Sequence, residues 1–170
     1  LIGRLYASAT HCGATGSVQG NFLVGGLIGK LESGASVSYS YAHATANSSV
    51  NAGGLVGDNF GTISNCYATG NVTCSQYTAG GLVGYNMYGV IQNSFSTGSA
   101  TALGDIGGLV GTNSGQDYDF FLDMPIYIDG VVTNSYWDTQ SSGNATSPAG
   151  TGKTTSEMKD AATFSSWNFT

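Results

Sequence analysis

Residues 53–70 read Gly53-Gly54-Leu55-Val56-Gly57-Asp58-Asn59-Phe60-Gly61-Thr62-Ile63-Ser64-Asn65-Cys66-Tyr67-Ala68-Thr69-Gly70. Their first five residues recur as Gly25-Gly26-Leu27-Ile28-Gly29, Gly80-Gly81-Leu82-Val83-Gly84 and Gly107-Gly108-Leu109-Val110-Gly111, at periods of 28, 27 and 27. Asn59 recurs as Asn86 and Asn113, while Leu31 stands at that place in the first copy. The second half returns as Ile91-Gln92-Asn93-Ser94-Phe95-Ser96-Thr97-Gly98 and as Val132-Thr133-Asn134-Ser135-Tyr136, with Val37-Ser38-Tyr39-Ser40-Tyr41 a degenerate copy. Ile2-Gly3-Arg4-Leu5-Tyr6 reads as the tail of a truncated copy. A unit this short cannot enclose a core of its own, so neighbouring units must stack to bury a shared one.

Two or three short strands per unit, punctuated by glycine, fit one coil of a parallel β-helix. The expected fold is therefore all-β: a β-solenoid of about five coils of 27–28 residues, rising about 4.8 Å per coil. In that fold Tyr41, Tyr67, Phe95 and Tyr136 form an aromatic stack. Asn59, Asn86 and Asn113 form an amide ladder, and Asn65, Asn93 and Asn134 form a second. Ladders satisfy side-chain amides that are costly to bury alone.

Two segments break the period. Tyr136 follows Phe95 by 41 residues, so about 13 are inserted, from Gln116 to Asp129. Insertions in repeat arrays map to loops, often on a contact face. The solenoid domain is expected over 1–148, insertion 116–129 included, and a capping segment over 149–170. Thr154-Thr155-Ser156-Glu157 has the form of a capping box, which predicts a short helix over Ser156–Ala162. Phe164, Trp167 and Phe169 then cover the last coil, blocking its unpaired backbone.

Gly-Gly-Leu-Val-Gly-x-Asn followed by Ile-x-Asn-Ser-Tyr-Ala-Thr-Gly resembles the GLUG motif repeat over nearly the whole chain. The resemblance implies an extracellular β-solenoid segment of large microbial surface proteins, among them adhesin-like proteins and metallopeptidases that cleave immunoglobulin A. In those peptidases the zinc site lies outside the repeats, and this chain has no His-Glu-x-x-His.

Composition narrows the function classes. The 170 residues carry only 8% charged side chains and a net charge of −6. Four cations cannot hold a nucleic-acid backbone or a polybasic membrane contact. No run approaches the roughly 18 apolar residues of a membrane-spanning helix. Leu1 opens inside a repeat-like stretch, so the chain reads as a piece of a longer one.

Several constellations invite a chemical reading. Ser147-Pro148-Ala149-Gly150-Thr151-Gly152-Lys153-Thr154 nearly spells a phosphate-binding loop but lacks its first glycine, so a lead into the cap is the simpler reading. Asp117, Asp119 and Asp123 are a weak Ca²⁺ candidate, with a solvated loop as the plain alternative. The same carboxylates could serve a polysaccharide-cleaving enzyme, but no basic residue lies near them in sequence. His11, Cys12, His43, Cys66 and Cys74 lack zinc-ligand spacing. Cys66 and Cys74 are a candidate disulfide, although Cys66 also falls where other copies carry Ser40, Ser94 and Ser135. Asn47, Asn71, Asn144 and Asn168 open N-x-[ST] sequons, about as many as chance supplies in so Asn-, Ser- and Thr-rich a chain.

The expected function is a non-catalytic, extracellular or surface-displayed stalk or adhesive module with no cofactor. Its partners would be glycans or surface proteins, or copies of itself in a filament. Tyr118, Phe120, Phe121 and Tyr127 of the insertion are the candidate contacts, unless they merely pack the loop onto the rod.

Overall fold

A computed structural model describes residues 1–119 and 121–167, with the backbone alone for 117–119. The chain winds as a succession of short parallel strands that form four sheets running along a rod. Sheet A stacks Ile2–Leu5, Ile28–Leu31, Val56–Asn59, Val83–Asn86 and Val110–Thr112. Sheet B stacks Ser8–Thr10, Ser36–Ser38, Thr62–Ser64, Val90–Gln92 and Val131–Thr133. Sheet C begins with Gly13–Gln19 and Tyr41–Ser48 and ends with Tyr136–Asp138 and Thr151–Lys153. Sheet D stacks Val24–Gly25, Asn51–Gly53, Thr78–Gly80 and Ile106–Gly107. Four turns, 2–25, 28–53, 56–80 and 83–107, complete the circuit, and a last rung starts at Val110. The solenoid is the architecture the periodicity predicts.

Like stands over like. Leu27, Leu55, Leu82 and Leu109 are linked by backbone bonds of 3.0, 2.8 and 2.8 Å, and all four are buried. Ile63 pairs with Val37 on one side and Ile91 on the other, and Ile91 pairs with Val132. These columns, with Ile28, Val56, Val83 and Val110, fill one core. Ala52, Val72, Cys74, Ala79 and Ala100 fill a smaller one. The double glycine has a steric cause. A Cβ at Gly54 would lie 2.1 Å from the Gly81 carbonyl oxygen, and one at Gly53 would lie 1.9 Å from that of Val56. Only a residue without Cβ lets successive corners nest this closely.

The first rung is fuller than its sequence announces. Ile2 and Leu5 pair with Ile28 and Leu31, and the seven residues Gly13–Gln19 pair with Tyr41–Asn47. So 2–25 is a whole rung and not the tail of one. Its signature is hidden because Ala9, His11, Cys12 and Gly13 stand where later rungs carry the motif residues.

At the other end the expected helix is replaced. The capping box forms, with Thr154 N–H donating to Glu157 at 2.8 Å and Glu157 N–H donating to the Thr154 hydroxyl at 3.2 Å. Only 3-10 turns follow, Glu157–Lys159 and Ala161–Phe164, because Asp160 between them is extended at φ −89°, ψ 121° and caps the second. The single α-turn among the described residues, Thr139–Ser142, is capped by Asp138. Side chains from this segment then stand in for the missing next rung. Ser147 Oγ accepts from Val110 N–H at 3.0 Å, and Asn144 bonds both the N–H and the carbonyl of Ala100 at 2.9 and 3.0 Å. Trp137 plugs the end of the core over Gly108, its indole N–H held by the Asn144 carbonyl at 2.9 Å. These bonds pair part of the ladder that the last rung leaves open.

Candidate functional site

The stacked columns set the chemistry of each face. Asn59 donates its amide N–H to Asn86 Oδ1 at 2.7 Å, and Asn86 donates to Asn113 Oδ1 at 2.7 Å, as the sequence predicts. Asn59 and Asn86 are fully buried, so this ladder satisfies groups that water cannot reach. The second Asn column works differently. Asn65, Asn93 and Asn134 take φ of 54°, 48° and 46°, and the Asn93–Asn65 amide contact is long at 3.4 Å. Asparagine is there because it tolerates the left-handed corner. Tyr39 and His11 occupy the same corner in the earlier rungs and stack at 5.3 Å.

On sheet C the rings of Tyr41, Tyr67 and Phe95 stack at 5.4 and 5.1 Å, near parallel. Phe164 and Trp167 close the stack over Tyr136 at 5.6 and 6.2 Å, the aromatic cover expected of the tail. Phe169 lies outside the described residues. With their faces against one another, Tyr41, Tyr67 and Phe95 present ring edges to solvent.

The insertion is an antiparallel hairpin, Gly115–Asp119 paired with Met124–Ile128. Its base is anchored by Asn113, whose amide donates to the Gly130 carbonyl at 2.9 Å, and by the Met87–Asp129 bridge. Of the expected contact residues, Phe121 is 101% exposed and Tyr127 69%. The side chain of Tyr118 and all of Phe120 lie outside the described residues. Leu122, Met124, Ile128 and Val131 are exposed as well, an apolar group that the sequence reading did not assemble.

A second feature escaped the sequence. Where sheet D turns into sheet A, a cleft of about 250 Å³ opens between Tyr77, Tyr85, Asn51, Gln76, Asp105 and Thr112. Asn51 donates to Asp58 at 2.8 Å, and the Thr112 hydroxyl donates to Asp105 at 3.0 Å. Asp58 is only 8% exposed, and burial, opposed by the Asn51 bond and by Lys30, pushes its carboxyl up to about 6. Burial and then the Asp58 charge raise the Tyr85 hydroxyl as well. The signal was the seven-residue interval 51–58, 78–85 and 105–112, which has no meaning until the corner geometry is known.

The remaining candidates scatter. Cys66 and Cys74 do not bond: all three cysteines are free thiols, and these two sit in different cores. Cys66 stays in the serine column, its Sγ 3.2 Å from the Ser64 carbonyl as Ser94 Oγ is 2.8 Å from that of Gln92. Burial pushes its thiol up to about 11, so it is unreactive at neutral pH. His43 bonds Thr69 at 2.6 Å and His11 stacks on Tyr39, so neither meets a cysteine in a metal site. Among the described residues no three His, Cys, Asp or Glu groups converge. Asp123 lies at the hairpin turn with φ 53°, while the side chains of Asp117 and Asp119 lie outside the described residues. The near-match to a phosphate loop is instead a strand, Thr151–Lys153, paired with Tyr136–Asp138. Of the sequons, Asn144 has both amide atoms engaged and Asn71 Oδ1 accepts from Ser99 N–H. Asn47 lies half-buried on sheet C, and Asn168 falls outside the described residues.

The GLUG motif matches the chain three times, over residues 20–47, 48–73 and 75–101. Residues 20–101 are GLUG repeats. Each matched unit is about one turn of the rod, so the GLUG repeat here is a rung of a β-solenoid. Neither curated proteins nor solved structures yielded a match. The rung that carries the hairpin lies outside the matched GLUG units.

Proposed function

We propose that this GLUG solenoid is a non-catalytic, extracellular or surface-displayed adhesive module, a rigid rod that holds an apolar hairpin out to a protein partner. The supporting observation is the exposure of Phe121, Leu122, Met124, Tyr127 and Ile128 on one anchored hairpin. Exposed apolar groups of this kind mark contact surfaces in proteins that remain in solution. Among the described residues, none from the hairpin belongs to either core. Aromatic anchors of this type carry most of the energy in protein interfaces.

The test replaces 116–129 by a short Gly/Asn link and, separately, changes Phe121→Asp and Tyr127→Asp. Beads carrying each protein are counted on surfaces coated with mucin, fibronectin or collagen. Wild type should adhere to at least one, and the three variants should lose most of that adhesion while melting within a few degrees of wild type. Equal adhesion by all four proteins would remove the hairpin from the reading. Long fibres of wild type in negative stain would favour the filament instead.

A further inference from the structure

Each turn passes from sheet D to sheet A through Gly-Gly-Leu, so a residue on D meets the residue seven places later on A. At two rungs the pair is joined by a hydrogen bond, Asn51 with Asp58 at 2.8 Å and Thr112 with Asp105 at 3.0 Å. At the rung between them the pair is Thr78 and Tyr85. There Thr78 turns to Thr112 Oγ1 at 3.1 Å, and the Tyr85 ring is left half-buried at the wall of the cleft. Tyr77 stands beside it, 60% exposed. Unlike the rings of Tyr41, Tyr67 and Phe95, neither Tyr77 nor Tyr85 has its face covered by another ring among the described residues. A second cleft, of about 320 Å³, shares Asp105 and Thr112 as its wall and continues past Asn113 and Ser114 to Pro148. The two together extend for more than one rung along the rod.

We propose that this corner groove binds an uncharged oligosaccharide lying along the rod, with one sugar ring against Tyr77 and Tyr85 and its hydroxyls on Asp105, Asn51 and Gln76. The proposal goes beyond the hairpin reading and does not depend on it. The chemistry is of three kinds. Tyrosine faces offer flat apolar area for the C–H side of a sugar ring, with a polar rim for its hydroxyls. A carboxylate accepts two hydroxyl protons at once, and such charge-assisted bonds are the stronger kind. The amides of Asn51 and Gln76 donate and accept, which matches hydroxyls that do both. Size agrees as well: each cleft falls near the ~300 Å³ lower end for drug-sized ligands, room for one or two rings. A rung rises about 4.8 Å, close to the length of a sugar ring, so successive rings meet successive rungs.

Charge excludes the acidic glycans. The groove carries Asp105, with Asp58 behind Asn51, and no Lys or Arg lines either cleft. Three of the four cations face carboxylates elsewhere: Arg4 and Lys30 meet Glu32 at 3.2 and 3.3 Å, and Lys153 meets Glu157 at 4.0 Å. Lys159 lies in the tail. A sulfated, sialylated or uronic chain would therefore meet the Asp105 carboxylate with no Lys or Arg lining either cleft to offset it.

Saturation-transfer NMR and calorimetry with cellotetraose, xylotetraose and mannotetraose as neutral probes, and sialyllactose as the acidic one, provide the test. At least one neutral probe should bind, and sialyllactose should not. Tyr77→Ala removes an exposed side chain and should leave melting unchanged while weakening that binding at least tenfold. Asp105→Asn should weaken it several-fold, and the hairpin replacement should leave it unchanged. Absence of transfer to all three neutral probes, undiminished binding by Tyr77→Ala, or preference for sialyllactose would each overturn the assignment. Loss of adhesion in the hairpin variants with sugar binding intact separates this proposal from the preceding one.

Discussion

Asn86 sits at the centre of the buried amide ladder, accepting from Asn59, donating to Asn113 and reaching the Gly89 carbonyl at 3.3 Å. Asn86→Ala strands the buried Asn59 amide and the half-buried Asn113 oxygen besides removing its own bonds, so a loss of about 3 kcal/mol is expected in urea or thermal unfolding. Asp58 gives a prediction of the opposite sign. Its carboxyl titrates at about 6 in the fold and near its ordinary 3.8 unfolded, burial being the cause. Between those values the folded chain keeps a proton that the unfolded chain has lost. Stability therefore falls as pH rises from about 4 to 6 and levels off above. Asp58→Asn should flatten that slope and melt higher than wild type at pH 7.5, by at most about 3 kcal/mol, in calorimetry across this range. The two Asn columns show where sequence stops short. The alignment places both, but it cannot separate Asn86, which needs its amide, from Asn93, which needs its tolerance of positive φ. Spacing reports that residues stack and says nothing of which property is used.

The last rung, the hairpin and the tail are the elements that set this chain apart from a bare repeat. Asp138 is 3% exposed, and although burial raises its carboxyl, bonds from Ser141 N–H, the Thr155 hydroxyl and Gln140 N–H outweigh that and hold it below the ordinary range. Its contribution is thus present above about pH 4 and lost as the pH falls through the lowered value. Asp138→Ala should cost roughly 2–4 kcal/mol at pH 7 and release the tail to limited proteolysis near Thr155, the difference from wild type shrinking as the pH falls through the lowered value. The capping box at Thr154 was legible because its two bonds are local. The helix expected after it was not formed, because the Asp160 carboxylate takes the Ala162 N–H at 2.9 Å and restarts the chain. The insertion was found by subtraction, its hairpin pairing was not. Alternation in Met124–Ile128 is blurred by Pro125 and by apolar side chains facing solvent.

Over the whole rod each rung touches only its neighbours, so stability is close to a sum of rungs and interfaces. Leu82 contacts rungs on both sides, whereas Leu27 has the degenerate first rung on one of them. Leu82→Ala should cost about 2–5 kcal/mol and lower the single unfolding transition, while Leu27→Ala, beside the degenerate first rung, should broaden it. Circular dichroism at two denaturant ramps would register the difference. Outside the 116–129 insertion, the rung geometry of 25–136 was legible from period alone. What period could not show is the corner cleft, since it arises between side chains seven apart that only the turn brings together. The two tryptophans bring a practical consequence. Trp137 plugs the final rung and Trp167 lies over the ring of Tyr136, so both indoles of the chain belong to one end. Fluorescence emission is therefore a local gauge of that terminus, blind to events around Ile28 or Leu55. Tyrosine signals from Tyr41 and Tyr67 report the middle, and a mismatch between the two wavelengths would time which end of the molecule lets go first.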